Sequence, residues 1–417
     1  MTDPETILRR LFDRAVEVAD PMQSLAGYLP ERPEGRFVVI GAGKASARMA
    51  EAVEAIYGPC EGLVITRYGY ARPCEGIEIV EAAHPVPDEA GLRATARMLE
   101  LVGGLGEDDV VLALISGGAS ALLVQPAGGI TLAEKQEVNS ALLASGAPIG
   151  KMNVVRKHLS EVKGGQLAAA AHPAKMLALM ISDVPGDDPA MIGSGPTVGD
   201  ASTQDDVRDI LGGHGIEVPS SVLEVLDGPR RVVLPDDAKL SRVENVIYAA
   251  PSQSLQAAAE MAETAGVEAR ILGDALEGEA REVAREQAQT AMAVQASLAP
   301  GAAPVVLLSG GELTVTRRGD GIGGPNAEYA LALAIALNGA KGIRAIACDT
   351  DGVDGAAEVA GAIIGPDTLA GVSEDPRAVL DRNDAHGFFG RNGGQVVTGP
   401  TLTNVNDFRA ILIEPRR

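Results

Sequence analysis

The chain has 417 residues, with 46% hydrophobic side chains, no Trp and only 3% aromatics. That length calls for two or three domains rather than one core, and the cores must be built from Ala, Val, Leu and Ile. A net charge of −22 argues against nucleic-acid binding, which requires a basic footprint. Three scattered cysteines suit neither a disulfide framework nor a zinc site, and they fit a reducing compartment. The polar start Met1-Thr-Asp-Pro-Glu5 lacks a signal-peptide core, and no apolar run reaches the roughly 18 residues of a membrane span. The expectation is a cytoplasmic protein without membrane partners.

In chain order, residues 4–28 read as a helix, with Ile7, Leu8, Leu11, Phe12 and Val16 on one stripe. A strand at 37–40 precedes an Ala-rich helix over 44–57. Strands at 62–66 and 77–80 follow, then His84-Pro-Val-Pro-Asp-Glu-Ala-Gly91 opening a helix over 90–103. The strand at 110–115 leads to a long helical region over 131–171, and the strand at 177–181 closes this half. Between 200 and 240 the pattern loosens at Gly212-Gly213, Pro219, Gly228-Pro229 and Pro235, which marks a domain junction. Beyond it come a strand at 243–250, helix 252–265, strand 267–271, helix 277–298, strands 305–308 and 313–315, helix 327–339 and a strand at 343–347. Alternation of this kind predicts βαβ units and a doubly wound α/β sheet. The boundaries are 1–240 for the first domain and 241–417 for the second.

Five short apolar runs end in polar loops: Gly41-Ala-Gly-Lys44-Ala-Ser46, Ser116-Gly117-Gly118-Ala-Ser120, Ser182-Asp183-Val-Pro-Gly-Asp187-Asp188, Ser309-Gly310-Gly311-Glu312 and Cys348-Asp349-Thr-Asp351-Gly-Val-Asp354-Gly355. Such runs read as buried parallel strands, whose carboxyl ends carry the ligand sites of open α/β sheets. The first loop lacks P-loop spacing, and Ser46 replaces the third glycine of a dinucleotide fingerprint. It still joins a strand to a helix, where a Lys suits phosphate or carboxylate. The two Ser-Gly-Gly loops offer backbone N–H groups to phosphate oxygens, with Glu312 as an added metal or ribose ligand. They also form a faint internal echo. The Asp349, Asp351, Asp354 spacing is not an EF-hand; in an enzyme of phosphates, this cluster and that of Asp183, Asp187 and Asp188 could each hold Mg²⁺ or accept a hydroxyl proton. Each Asp could equally cap a helix or form an Asx-turn. The basic segment Asn153-Val-Val-Arg156-Lys157-His158 runs on to Lys163; on one helix Arg156 and Lys163 would share a face and could clamp phosphate or carboxylate. His84 reads as part of a rigid turn. No H-E-x-x-H zinc motif and no G-x-S-x-G elbow is present.

Taken together, GAGKAS (41–46), HPVPDEAG (84–91), SGGAS (116–120), VRKHLSEVKGG (155–165), ISDVPGDDPAMIGSGPTVGD (181–200), SGGELTV (309–315), CDTDGVDG (348–355) and TGPTLTNVNDF (398–408) resemble the glycerate 2-kinase family, whose C-terminal part is called the MOFRL domain. The resemblance covers nearly the whole chain in order. It implies a larger N-terminal Rossmann-like domain, a smaller C-terminal MOFRL-type α/β domain with a mixed sheet, and an active site in the cleft between them. It further implies transfer of phosphate from ATP to the 2-hydroxyl of D-glycerate, with Mg²⁺. Some relatives carry a hydroxypyruvate reductase label linked to tartrate and glyoxylate degradation. On this basis Lys44, Asp183 and Asp187 are candidate catalytic residues. Ser116, Gly117, Gly118, Ser120, Arg156, Lys157, Ser309, Gly310, Gly311, Glu312 and Asn326 are candidate substrate or nucleotide ligands, and Asp349, Asp351 and Asp354 candidate metal ligands.

One departure stands out. Where the family often has Gly-Gly-Arg-Asn-Gln-Glu, with the Arg regarded as an active-site residue, this chain reads Gly323-Gly324-Pro325-Asn326-Ala327-Glu328. Arg156 or Lys157 could supply the missing cation. Two other readings compete: an NAD(P)H-dependent hydroxypyruvate reductase, and a non-catalytic sugar-phosphate-binding regulator. The first suffers because the strand at 62–66 runs into Thr66-Arg67 rather than the acidic ribose ligand of dinucleotide sites. Two acidic clusters would be wasted on the second.

Overall fold

A computed structural model of the chain describes residues 3–355 and 357–416. The chain divides into two compact units. One comprises Pro21–Ser182 and Asp187–Tyr248; the other comprises the N-terminal segment through Asp20, the short stretch Asp183–Gly186 and everything from Ala249 onward.

The first unit is built on strands β1 (Phe37–Ala42), β2 (Glu61–Arg67), β3 (Ile77–Ala82), β4 (Val110–Ile115), β5 (Lys175–Ile181) and β6 (Val243–Ala249), in the spatial order β3-β2-β1-β4-β5-β6. β1 to β5 pair in parallel. β1 is buried along its whole length, so its near-continuous apolar run is what a doubly covered parallel strand demands. Sheet order reverses between β1 and β4, and that switch point is where open α/β sheets hold their ligands.

The second unit carries β7 (Glu268–Gly273), the short β8 (Gly278–Glu279), β9 (Val305–Gly311), the short β10 (Leu313–Thr314), β11 (Ile343–Asp349), β12 (Gly361–Ile364), β13 (Gln395–Val396) and β14 (Asp407–Ile413). Its main sheet runs β13-β12-β11-β14-β9-β7 and is mixed: β7 lies parallel to β9, and the other pairings are antiparallel.

Three differences from the sequence reading have physical causes. The expected helix 4–28 ends at Glu17, and it packs with the second unit rather than the first. Its stripe of Leu8, Leu11, Phe12 and Ala15 is buried against Leu255, Ala258 and Phe408. Each large apolar side chain buried this way stabilises by about 1.5–3 kcal/mol, so the stripe holds the N-terminus to a domain far away in sequence. The expected helix 131–171 is three helices, Leu132–Ala144, Ile149–His158 and Gln166–Ala171. Gly146 and the pair Gly164-Gly165 take left-handed conformations at the breaks. The expected loose junction at 200–240 contains two ordered helices, Gln204–Gly213 and Ser220–Asp227, whose Val207, Leu211, Val222 and Leu226 share a core with Val138, Leu142 and Val155. The division between units falls instead at Tyr248 and Ala249.

Candidate active site

In the first unit the loops after β1 and β4 are stitched together at the switch point. The Lys44 amide donates to the Gly117 carbonyl at 2.8 Å, and the Ala45 amide donates to Ser116 Oγ at 3.0 Å. Ser116 Oγ also lies 3.1 Å from Ser46 Oγ, and both serines are fully buried. Gly43 adopts φ +142°, and a Cβ there would fall 2.0 Å from Ser116 Oγ. Glycine is therefore required at that turn, for both conformation and space. Thr66, at the end of β2, donates from Oγ1 to the Gly43 carbonyl at 3.1 Å. The hydroxyl of Ser116 is thus spent on holding the two loops together. Half-buried Lys44 rides on this base.

Next to it, Gly118 stands at φ +83°, and a Cβ on it would come within 3.1 Å of the His84 ring and 3.3 Å of Lys44 Cγ. Gly118 is the point at which the lysine stem and the imidazole meet. From there a chain of polar contacts leads inward. Ser120 Oγ lies 2.8 Å from Ser194 Oγ, Ser194 donates to Asn153 Oδ1 at 3.2 Å, and Arg156 Nη1 donates to the same oxygen at 3.2 Å. Ser194 holds φ +63° between Gly193 and Gly195, which are also left-handed. A non-glycine residue there costs on the order of 1–3 kcal/mol, retained by its surroundings. A cavity of about 200 Å³ opens beside these groups, lined by His84, Gly118, Ser120, Gln136 and Arg156.

Arg156 and Lys163 come together, but not as two positions on one helix. The helix ends at His158, and Lys163 is folded back beneath Ser120, donating from Nζ to the carbonyls of Ser120 and Leu123, both at 2.8 Å. Lys135 Nζ donates to the Leu159 carbonyl at 2.9 Å. Burial pushes the Lys135 ammonium down to about 8, helped by the charge of Arg156. Burial, with Lys135 and Arg156 adding to it, pushes Lys163 well below the usual lysine range. Lys157, expected to meet ligand, instead forms an ion pair with Asp200 at 2.6 Å, and both side chains are nearly enclosed. The reason is electrostatic: a cation that far inside needs a fixed counter-charge. Asp187 is half-buried with φ +51° in the turn after Gly186.

In the second unit the acidic loop after β11 meets the segment 398–408. Asp349 Oδ1 accepts from the Asp351 amide at 2.9 Å, and buried Asp351 Oδ1 accepts from the Val353 amide at 2.7 Å. Thr350 Oγ1 donates to the Asn406 carbonyl at 2.7 Å and accepts from the Val405 amide at 2.9 Å. Asn404 Nδ2 reaches Asp183 Oδ2 at 3.1 Å, and Asn406 Nδ2 reaches the Asp183 carbonyl at 3.0 Å. Asn404 and Asn406 therefore fix Asp183 beside the loop of Asp349 and Asp351. Both asparagines stood in the quoted 398–408 motif without an assigned role. Asn153 likewise lay in the basic segment and Ser194 in the quoted 181–200 motif, both without an assigned role, and nothing in the pattern marked Lys135.

Several expected ligands of this unit turn out to be internal scaffolding. Ser309, Gly310 and Gly311 do not form a loop; they continue β9 and pair with Arg409, Phe408 and Asp407 of β14. Ser309 Oγ accepts from Gln287, and the Gly310 carbonyl accepts from buried Arg409. Glu312 lies exposed between β9 and β10. Asn326 is fully buried, donating to Asp407 Oδ1 at 2.6 Å and, from its amide, to Asp354 Oδ1 at 3.0 Å. Asp354 also accepts from the Ala327 amide at 2.8 Å and lies 2.9 Å from His386 Nε2. With both oxygens engaged and no exposure, Asp354 serves the start of helix Pro325–Leu337 rather than a metal. Among the described residues no three His, Cys, Asp or Glu side chains converge as a metal cage. Asp351 is buried as completely as Asp354, whereas Asp349 is half-buried; Mg²⁺ is commonly held by only one or two carboxylates together with substrate phosphates. Pro325 occupies the first helical position, where its missing N–H costs nothing. Glu328 is buried in an ion pair with Arg281 at 2.6 Å.

Comparison with known proteins matches residues 7–227 to a domain of unknown function (DUF4147) and residues 305–407 to the MOFRL family. The chain is 53% identical to a putative hydroxypyruvate reductase of Agrobacterium vitis, covering 98% of this chain and 94% of that one. It is 40% identical to the D-glycerate 2-kinase of Thermotoga maritima, covering 98% of each. The crystal structure of a Thermotoga maritima glycerate kinase superposes with a TM-score of 0.88 at 39% identity, over 99% of this chain and all of that one. In sequence along its full length and in fold, the chain belongs to the glycerate 2-kinase family.

Proposed function

We propose that the protein transfers the γ-phosphoryl group of ATP to the 2-hydroxyl of D-glycerate, giving 2-phosphoglycerate and ADP. The observation that carries this reading is the match to the D-glycerate 2-kinase of Thermotoga maritima, which runs through 98% of both chains. In the reaction the glycerate 2-oxygen bonds to the γ-phosphorus as the bond to the departing ADP oxygen breaks. The hydroxyl proton goes to a carboxylate. Phosphoryl transfer needs positioning and charge neutralisation more than covalent help. Lys44 supplies a mobile cation to the transferred group, on a base made rigid by Ser116. Asp183, oriented by Asn404 and Asn406, takes the proton, with Asp187 as the other candidate. Asp349 and Asp351 would hold Mg²⁺, which when bound neutralises phosphate charge. Gly117, Gly118 and Ser120 shape the site around Lys44.

The relatives named hydroxypyruvate reductase keep a second reading open to test. Against it, β2 ends in Thr66-Arg67, and Thr66 is engaged with Gly43 rather than offering a carboxylate to a ribose. One pair of assays decides. The protein is incubated with D-glycerate, Mg²⁺ and ATP, and separately with hydroxypyruvate and NADH or NADPH. Glycerate-dependent ADP formation is the expected result. Cofactor oxidation without it would overturn the kinase reading, and position-specific analysis of the product checks the 2-phosphate.

A further inference from the structure

Around the cavity near Arg156, positive charge accumulates without an answering acid. Lys135 and Lys163 are enclosed, with 4% and 1% of their surface exposed, and Arg156 presents its guanidinium to the cavity. Among the described residues none of the three forms an ion pair with a carboxylate; their recorded partners are three backbone carbonyls and the Asn153 side chain. Of the carboxylates on the same or neighbouring segments, Glu137 is exposed and three others are committed elsewhere. Glu134 closes the capping box at Thr131 and accepts from Ser221, Glu161 pairs with Arg231, and Asp200 pairs with Lys157. Burial disfavours the charged form of both lysines and half-buried Arg156 adds to that cost, which a counter-charge beside them would relieve. The fold therefore leaves room for an anion that it does not itself contain.

The size of the space selects among anions. A cavity of about 150 Å³ accommodates a benzene ring, whereas pockets for larger ligands run to about 300–1,000 Å³. At about 200 Å³, the cavity matches a three- or four-carbon acid. Polar residues Ser120, Gln136 and His84 also line it beside the cation. Gly118 joins it to Lys44, so a small acid anchored here has its far end near the lysine.

We propose that this cavity is the carboxylate-binding subsite for the small hydroxy acid, with Arg156 as the residue that grips the carboxylate and Lys135 and Lys163 packed behind it. This rests on the kinase reading for the identity of the acid, but not for the existence of the subsite. It also means that the Ser116–Ser120 loop serves the acceptor and not the nucleotide phosphates.

The test is calorimetric titration of D-glycerate, glycerol, inorganic phosphate and ATP, each alone, into the wild-type protein, Arg156→Gln and Arg156→Lys, with thermal melts to confirm folding. A charge-assisted bond to a carboxylate makes the expected loss on Arg156→Gln about 10- to 100-fold in glycerate affinity. Arg156→Lys should fall between, ATP should stay within about 2-fold by the same measure, and glycerol, lacking the carboxylate, should bind all three equally poorly. Unchanged glycerate affinity in Arg156→Gln overturns the subsite, as does a loss confined to ATP or to inorganic phosphate. The two readings separate cleanly. Arg156-dependent glycerate binding without ADP formation removes the kinase and keeps the subsite. ADP formation with an unaltered KM for glycerate in Arg156→Gln does the reverse.

Discussion

Arg156 and Ser194 share one acceptor: both donate to Oδ1 of Asn153, each at 3.2 Å. Asn153 thus holds the guanidinium at the cavity wall and braces a serine in a left-handed backbone conformation. Replacing Asn153 by Ala removes that acceptor while leaving every charge in place. The expected outcome is a rise of about 3- to 10-fold in KM for glycerate, corresponding to one hydrogen bond. The KM for ATP should hold, and steady-state kinetics with each substrate varied in turn checks both.

Lys44 has a different place in the scheme. It sits where the β1 and β4 loops are sewn together through backbone groups and Ser116. Lys44→Ala, checked for folding by thermal melt, should lower kcat by about 10²–10³-fold, the scale of removing one group that stabilises transition-state charge. Intact glycerate-dependent ADP release in this variant would sink the proposed role.

Glu328 belongs to the same short motif as Asn326 and Pro325, yet it is wholly enclosed, paired with Arg281 and flanked by Asn383 at 3.1 Å. Glu328→Ala strands a nearly buried guanidinium, so a stability loss of about 3–5 kcal/mol is expected. Urea unfolding measures it. The folded fraction should keep its KM for both substrates, which would mark the acid as structural.

These contrasts show what patterns of residues can reveal. The parallel half of the molecule was legible because its strands are covered on both faces and so appear as unbroken apolar runs ending in small polar loops, as at Ile40 and Ile115. β14 was not, because Asp407 and Arg409 look like surface charges until they are seen to neutralise each other at 2.9 Å inside the sheet. The same ambiguity hid the difference between Asp351, at the head of an acidic loop, and Asp354, which fastens a helix through Asn326 and Ala327. Spacing alone cannot tell a carboxylate that orders its own loop from one that fastens a distant helix. Lys135 was invisible for a related reason: a lysine on an amphipathic-looking helix reads as a solvated one, and only the tertiary fold turns it inward against Leu159.

That inward turn makes Lys135 a reporter of the cation cluster. Its ammonium is held down to about 8 by burial and then by the charge of Arg156, with Lys163, itself pushed down, close by. In the unfolded chain it titrates near 10.4. Between these values the unfolded state binds more protons than the native state, so stability rises with pH through that window. Below about pH 8 both states are protonated, and the native state bears the full cost of the buried charge. Lys135→Met removes this dependence. The wild-type protein should thus gain stability relative to Lys135→Met on moving from pH 7 to pH 9.5, by on the order of a few kcal/mol, as read by urea unfolding of both proteins at the two values. A small carboxylate bound beside Arg156 would stabilise the protonated cluster and shrink the difference, so repeating the series with saturating D-glycerate ties the titration to the cavity. If the two proteins respond to pH identically, Lys135 keeps the affinity for its proton that it has in the unfolded chain, and neither burial nor Arg156 penalises its charge.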